Sequence, residues 1–142
     1  MASPFFEYRH IVGFQDTNLV GNVYYANHIA WQGRCREMFL RTHAPDTLQA
    51  LQEGLALVTV KVSCEYLSEL QPFDEVVIHM RLAEVKQNRA LMRFEYFKQA
   101  GAQLMPIAVG EHAVAAMRRE GDSLVPTPFP PSMKEALHAF LQ

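Results

Sequence analysis

Apolar residues recur along this chain with two different periods. Phe6, Tyr8, His10, Val12 and Phe14 alternate with Glu7, Arg9, Ile11 and Gly13, and a period of two marks a strand with one inward face. At Tyr24 the period becomes helical: His28, Trp31, Cys35, Met38 and Phe39 fall at i, i+3, i+7, i+10 and i+11 on one stripe. The stripe predicts a dominant helix from Tyr24 to about Thr42, some 27 Å long at about 1.5 Å per residue. Pro45 and Asp46 interrupt it, and a short helix from Thr47 to Glu53 should end at Gly54.

Alternation then returns. Val58, Val60, Val62, Cys64 and Tyr66 make one strand and Val76, Ile78, Met80 and Leu82 another. Leu91 to Lys98 and Ile107 to Met117 make two more, on either side of the hairpin-like Gln99-Ala100-Gly101-Ala102. Pro126, Pro128, Pro130 and Pro131 argue against strand or helix in their stretch, after which Ser132 and Glu135 form a capping box for a terminal helix. Strands grouped after one long helix, with no internal repeat, indicate one α+β domain over residues 1–142. Its antiparallel sheet, of five or more strands, should wrap around the long helix. A single helix leaves sheet edges uncovered, so oligomerisation is expected.

Composition adds exclusions. A chain of 142 residues, 49% hydrophobic, can bury a sizeable core as one domain. A formal charge of −2 with no basic run makes nucleic acid an unsuitable partner. No apolar run reaches the eighteen or so residues that cross a bilayer, and MASPFFEYRH lacks a signal core, which points to a cytoplasmic protein without membrane attachment. Cys35 and Cys64 stand apart and read as buried free thiols, while His10, His43, His79, His112 and His138 show no paired ligand spacing. Neither a metal nor a diffusible cofactor is expected.

The string D-x-N-x-x-G-N-V-Y-Y-A-N leading into the long helix, together with the order of elements, resembles the hotdog-fold thioesterases of the 4-hydroxybenzoyl-CoA type. In that family the loop reads D-x-D-x-x-G, its second Asp serving as nucleophile or general base, and the helix carries Tyr and an E-x-A-R-like signature. Asp16 falls at the first Asp, Asn18 at the catalytic one, Gly21 at the glycine and Arg36 at the arginine; His28 replaces the tyrosine, and Gly33 and Arg34 take the glutamate positions. The fuller F-x-D-T-N-L-V-G-N-V-Y-Y-A-N with W-Q-G-x-C-R-E is similar to the thioesterases of enediyne antibiotic biosynthesis, which share the asparagine and the Trp-Gln-Gly helix. The resemblance implies a hotdog fold and hydrolysis of a β-ketoacyl polyene thioester on the acyl-carrier domain of an iterative polyketide synthase, followed by loss of carbon dioxide. It also implies homodimers, paired further into dimers of dimers. Two other functions stay open: a general acyl-CoA thioesterase, and a non-catalytic acyl-binding hotdog module for which the missing carboxylate speaks.

Each candidate residue has two readings. An amide does not ionise near neutral pH, so Asn18 either orients water or the thioester through hydrogen bonds or closes an Asx-turn. The N–H groups of Gly21, Asn22, Val23 and Tyr24 could hold an oxyanion, in the family at the position of Tyr24 or its neighbour, or be capped by Asn18 or solvent. Arg36 stands thirteen residues after Val23, about 20 Å along a helix. It therefore either pairs with Glu37 or another acid, or stabilises an anion in a site completed by a second subunit. His28 could pass a proton to the leaving thiol or hydrogen-bond in the core. Glu65 is a stand-in base or a solvated strand glutamate. Tyr25 and Trp31 are among the aromatics that either line a tunnel for an apolar chain or belong to the core.

Overall fold

Six strands and three helices carry these patterns in a computed structural model that describes residues 4–141. The strands are β1 (Phe6–Ile11), β2 (Leu55–Tyr66), β3 (Glu75–Lys86), β4 (Arg89–Ala100), β5 (Gln103–Glu120) and β6 (Ser123–Pro126); the helices are α1 (Ala26–His43), α2 (Asp46–Gln52) and α3 (Pro131–Ala139). The sheet is antiparallel, ordered β1-β3-β4-β5-β2, and β6 takes up β5 at Met117–Glu120, where β4 has ended. This is the α+β hotdog arrangement of a curled sheet on one long helix.

Register follows from burial. Ile78, Met80 and Leu82 of β3 lie opposite Tyr96, Phe94 and Met92 of β4. All six are buried, with Trp31, Cys35, Phe39 and Leu40 of α1 packed in the same core. Each such side chain contributes about 1.5–3 kcal/mol on leaving water. A slip of one residue would turn that whole face outward, so the alternation specifies the pairing.

One contact sets how deeply α1 sits. Gln32, fully buried on α1, donates its Nε2 to the carbonyl oxygen of Ser63 on β2 at 3.0 Å. It does so across Gly110 of β5, where a Cβ would stand 2.4 Å from that nitrogen and 2.7 Å from the Ser63 oxygen. Glycine at 110 is thus the condition for the helix to reach the edge strand. β2 ends the strand order, so its outer edge pairs with no strand among the described residues, and Val58, Val60 and Val62 are exposed there.

Several boundaries differ from the sequence reading. β1 stops at Ile11, and beyond Val12, whose N–H donates to Asp74 and whose carbonyl accepts the Phe73 N–H, Phe14 enters a 3-10 turn over Phe14–Asp16 with its ring exposed. α1 begins at Ala26, not Tyr24, with Tyr25 as its N-cap. The proline-rich tail contains an unexpected strand: Pro126 closes β6, a position where a strand tolerates a missing N–H. The capping box is not formed either. Pro130 is the N-cap of α3, Pro131 occupies its first turn, and the Ser132 hydroxyl is buried without a partner. Both thiols are free, but Cys64 is only half-buried.

Candidate active site

Asp16 builds the loop that precedes α1. Its buried carboxylate accepts the Gly13 N–H at 2.9 Å and lies 2.8 Å from Nε2 of His10 on β1. Its carbonyl oxygen accepts the Tyr24 N–H at 2.9 Å and Nδ2 of Asn27 at 2.7 Å. One residue therefore ties the loop to the sheet and to the helix entrance, and Asp16 is spent on structure.

Asn18 stands at the exposed tip. Its Oδ1 accepts the Val20 N–H at 3.0 Å, its carbonyl accepts the Gly21 N–H at 3.1 Å, and its own N–H donates to Asn22 at 2.9 Å. Gly21 closes this turn at φ +93°, a value that side chains resist. Of the two readings of Asn18, the Asx-turn is the one observed. It consumes the amide oxygen only; with Oδ1 fixed by a donor, Nδ2 keeps two N–H groups for a water or a carbonyl.

The oxyanion reading needs one correction of position. The Tyr24 amide donates to Asp16, Val23 to Leu70 and Gly21 to Asn18. Of the four, Asn22 keeps a free N–H, and at the start of α1 so do Tyr25 and Ala26; no carbonyl among the described residues accepts any of the three. The positive end of the helix dipole lies behind them, which favours developing negative charge.

Behind these amides lies a cavity of about 180 Å³ bounded by Asn22, Tyr25, His28, Tyr66, Glu69 and Leu70. Tyr66 donates its hydroxyl to the Tyr25 carbonyl at 2.7 Å, and burial pushes its pKa up to about 12. His28 is buried, and desolvation lowers its pKa, so the ring is neutral. Trp31 is core, packed between the rings of His10 at 4.9 Å and His28 at 5.2 Å, while Tyr25 borders the cavity. Of these two aromatics only Tyr25 borders the cavity.

Arg36 lies ten residues into α1, roughly 15 Å from its start. It does not pair with Glu37, which Arg34 holds at 3.2 Å. Instead Nη1 of Arg36 stands 3.3 Å from Nε2 of His112 on β5, and Thr59 Oγ1 of β2 stands 3.4 Å from the same nitrogen. Burial, then the Arg36 charge, pushes His112 down to about 4, so its neutral ring accepts from the guanidinium. No carboxylate among the described residues lies within ion-pair distance of Arg36, and burial lowers its pKa. A half-buried cation beside the unpaired β2 edge is suited to receive an anion.

Glu65 is elsewhere. Its neighbour Cys64 pairs with Gly110, which faces α1, so Glu65 points to the opposite face of the sheet, beside Arg93 and Glu111. A base at the helix entrance it is not. Cys35, with its thiol pushed up to about 12 by burial, is no nucleophile. Ligand spacing in the sequence does not single out His10 or His112. Their signal was that each occupies an inward position of its strand, which places a polar ring in the core where it needs a partner.

The comparisons with known proteins agree with this fold. The model of the thioesterase-like superfamily matches residues 12–137. Crystal structures of the dynemicin thioesterase, which describe induced-fit and allosteric effects upon polyene binding, superpose with a TM-score of 0.94 at 42% identity, covering 98% of this chain and 99% of that one. A 1,4-dihydroxy-2-naphthoyl-CoA thioesterase from Synechocystis gives 0.82 at 18% identity over 95% of this chain and 96% of that one. A mutant 4-hydroxybenzoyl-CoA thioesterase complexed with 4-hydroxybenzoyl-CoA gives 0.80 at 17% over 94% and 98%. The last two share the fold.

Proposed function

This chain belongs to the thioesterase-like superfamily, and from that premise we propose that it hydrolyses a β-ketoacyl polyene thioester carried on the acyl-carrier domain of an iterative polyketide synthase, with loss of carbon dioxide from the released β-keto acid. That it acts on thioesters is the family's property. The observation that carries the finer reading is the 42% identity, along almost the full length of both chains, to the dynemicin thioesterase.

The reaction divides among few groups. The Tyr25 and Ala26 N–H groups donate to the thioester carbonyl oxygen and strengthen their bonds as it becomes an oxyanion. Nδ2 of Asn18 holds the attacking water or the carbonyl; it removes no proton, because an amide is no base. The water oxygen bonds the carbonyl carbon, and as the C–S bond breaks the carrier sulfur leaves with its electron pair as a thiolate that takes up, through solvent, the proton the water gives up. Arg36 attracts the carboxylate or enolate of the β-keto acid. Since Arg36 lies far along α1 and beside the free β2 edge, the site is shared: two chains pair β2 edge to edge, and each Arg36 serves the other chain's helix entrance. Such dimers pair further into tetramers.

The test is to incubate the protein with the loaded synthase and identify the released product by mass spectrometry, against the same acyl group on coenzyme A. A decarboxylated polyene, released faster from the carrier, is expected. Equal or faster release from coenzyme A would replace this reading with a general acyl-CoA thioesterase, and no release from either would leave an acyl-binding module.

A further inference from the structure

The free edge of β2 is divided by a bulge. Thr59 pairs with Val114 and Lys61 with the adjacent Ala113, which leaves Val60 as an extra residue. The bulge changes which residues face α1. Thr59 reaches His112 before it; beyond it Val62 lies opposite His112, and Tyr66 meets the ring of His28. Lys61, Ser63 and Glu65 alternate with Val62, Cys64 and Tyr66 and so point to the outer face. Residues 60–66 are the straight run left for a second strand to pair with. Lys61 and Glu65 are exposed on it, and neither joins an ion pair within its own chain among the described residues.

Directly opposite residues of an antiparallel pair share a face, so a two-fold axis joining two β2 edges passes through a residue and not between two. Centred on Lys61 the pairing sets lysine against lysine, and centred on Glu65 it sets glutamate against glutamate; both are repulsive. Centred on Val62, Lys61 meets a serine, and centred on Cys64, Glu65 does, so no charge is answered. Centred on Ser63, the midpoint of the straight run, Lys61 stands opposite the partner's Glu65 and Glu65 opposite the partner's Lys61. The same register accounts for the distance of Arg36. Tyr66, bonded to the Tyr25 carbonyl, marks the helix entrance, and Thr59, which shares His112 with Arg36, marks the cation. Within one chain these two lie roughly 23 Å apart along the strand. About an axis at Ser63 the partner's Tyr66 stands opposite Val60, next to Thr59.

We propose that two copies of this chain pair their β2 edges about an axis at Ser63, in a register selected by Lys61 of each chain facing Glu65 of the other. The proposal rests on the edge-to-edge pairing and shared site described above; it adds the register and the residues that choose it. Lys61 and Glu65 are positioning residues, which touch no substrate and fix where each Arg36 arrives. A slip that keeps both faces moves one strand past the other by two residues, roughly 7 Å. Such a slip breaks both ion pairs and carries Arg36 away from the entrance it serves.

Cysteine cross-linking and charge reversal test it on the whole protein. In a Cys64→Ser background, with Cys35 left buried, mild oxidation of Ser63→Cys should give a disulfide-linked dimer on a non-reducing gel, because opposite Cα atoms lie about 4.5–5.5 Å apart. Val62→Cys in the same background should stay unlinked, its own copy lying two residues out of register, roughly 8 Å away and beyond disulfide reach. Lys61→Glu or Glu65→Lys, each counted twice by the symmetry, should raise the dimer dissociation constant in sedimentation on the order of tenfold. The combined swap should return it to within about threefold of wild type. A monomeric wild type, an unlinked Ser63→Cys, a linked Val62→Cys, or a combined swap as weak as either single reversal overturns the proposal. Mixed Asn18→Ala and Arg36→Ala subunits separate the two ideas: a Ser63→Cys link with inactive hybrids keeps the register and removes the shared site, and active hybrids without the link do the reverse.

Discussion

Adding one methyl group at Gly110 tests whether the seating of α1 controls both stability and activity. In Gly110→Ala the new Cβ would stand 2.4 Å from Gln32 Nε2 and 2.7 Å from the Ser63 carbonyl oxygen. The second atom is backbone of β2 and cannot rotate away. Gln32 must therefore release Ser63, which strands buried polar groups at about 1–3 kcal/mol, and the overfilled contact adds about 1–3 kcal/mol more. The total, about 4 kcal/mol, corresponds to a fall of roughly 12 °C in Tm at roughly 3 °C per kcal/mol for a chain of this size. Urea unfolding with an unchanged slope and a thermal melt measure it. Combining Gly110→Ala with Gln32→Ala should cost less than the sum of the two, because the side-chain half of the collision is gone while the Ser63 half remains. Movement of α1 also displaces the Tyr25 and Ala26 amides, and a misplacement near 1 Å costs on the order of a hundredfold in rate. A Gly110→Ala protein less than about 1 kcal/mol weaker than wild type, with normal turnover, would refute the idea that this contact sets the helix.

Asn18→Ala should keep its circular dichroism spectrum and lose most turnover, whereas Asn18→Asp should retain some by supplying a carboxylate; wild-type rates for Asn18→Ala would make the loop purely structural. Arg36→Ala should lose on the order of a hundredfold or more in kcat, with Arg36→Lys recovering only part, as steady-state kinetics would show. Mixing Asn18→Ala with Arg36→Ala subunits should restore activity in hybrids that hold one intact shared site, and inactive hybrids would sink the sharing. Burial holds His112 at about 4 against an ordinary 6.5, so the unfolded chain binds more protons between those values: stability is complete above about pH 6.5, declines as pH falls through that window, and levels out below about 4. The decline is worth at most about 3 kcal/mol, His28 adds to it in the same direction, and urea midpoints across pH should show a flatter slope in His112→Asn.

Two periods in the apolar pattern were enough to place α1 and five of the strands, because burial of one face rewards a given alternation and punishes a one-residue slip. The loop string between Phe14 and Trp31 was likewise enough to single out Asn18 and its turn, since an Asx-turn is made of bonds between residues two to four apart. Where neighbours in sequence are not neighbours in space, the pattern was silent. β6 escaped it because Pro126 closes a strand only when β5 lies alongside, and α3 began without its capping box because Pro131, with its fixed φ, starts the helix first. Which amide is free at the helix entrance depended on Asp16 capturing the Tyr24 N–H, a bond set by loop geometry. Tertiary structure alone paired Arg36 with His112 across 76 residues, turned Glu65 to the far face, and gathered Asn22 and His28 around one cavity. The physical reason is the same in each case: periodicity records which face of an element leaves water, while hydrogen-bond partners are chosen only after the sheet has curled around the helix and brought distant polar atoms within 3 Å or so of one another.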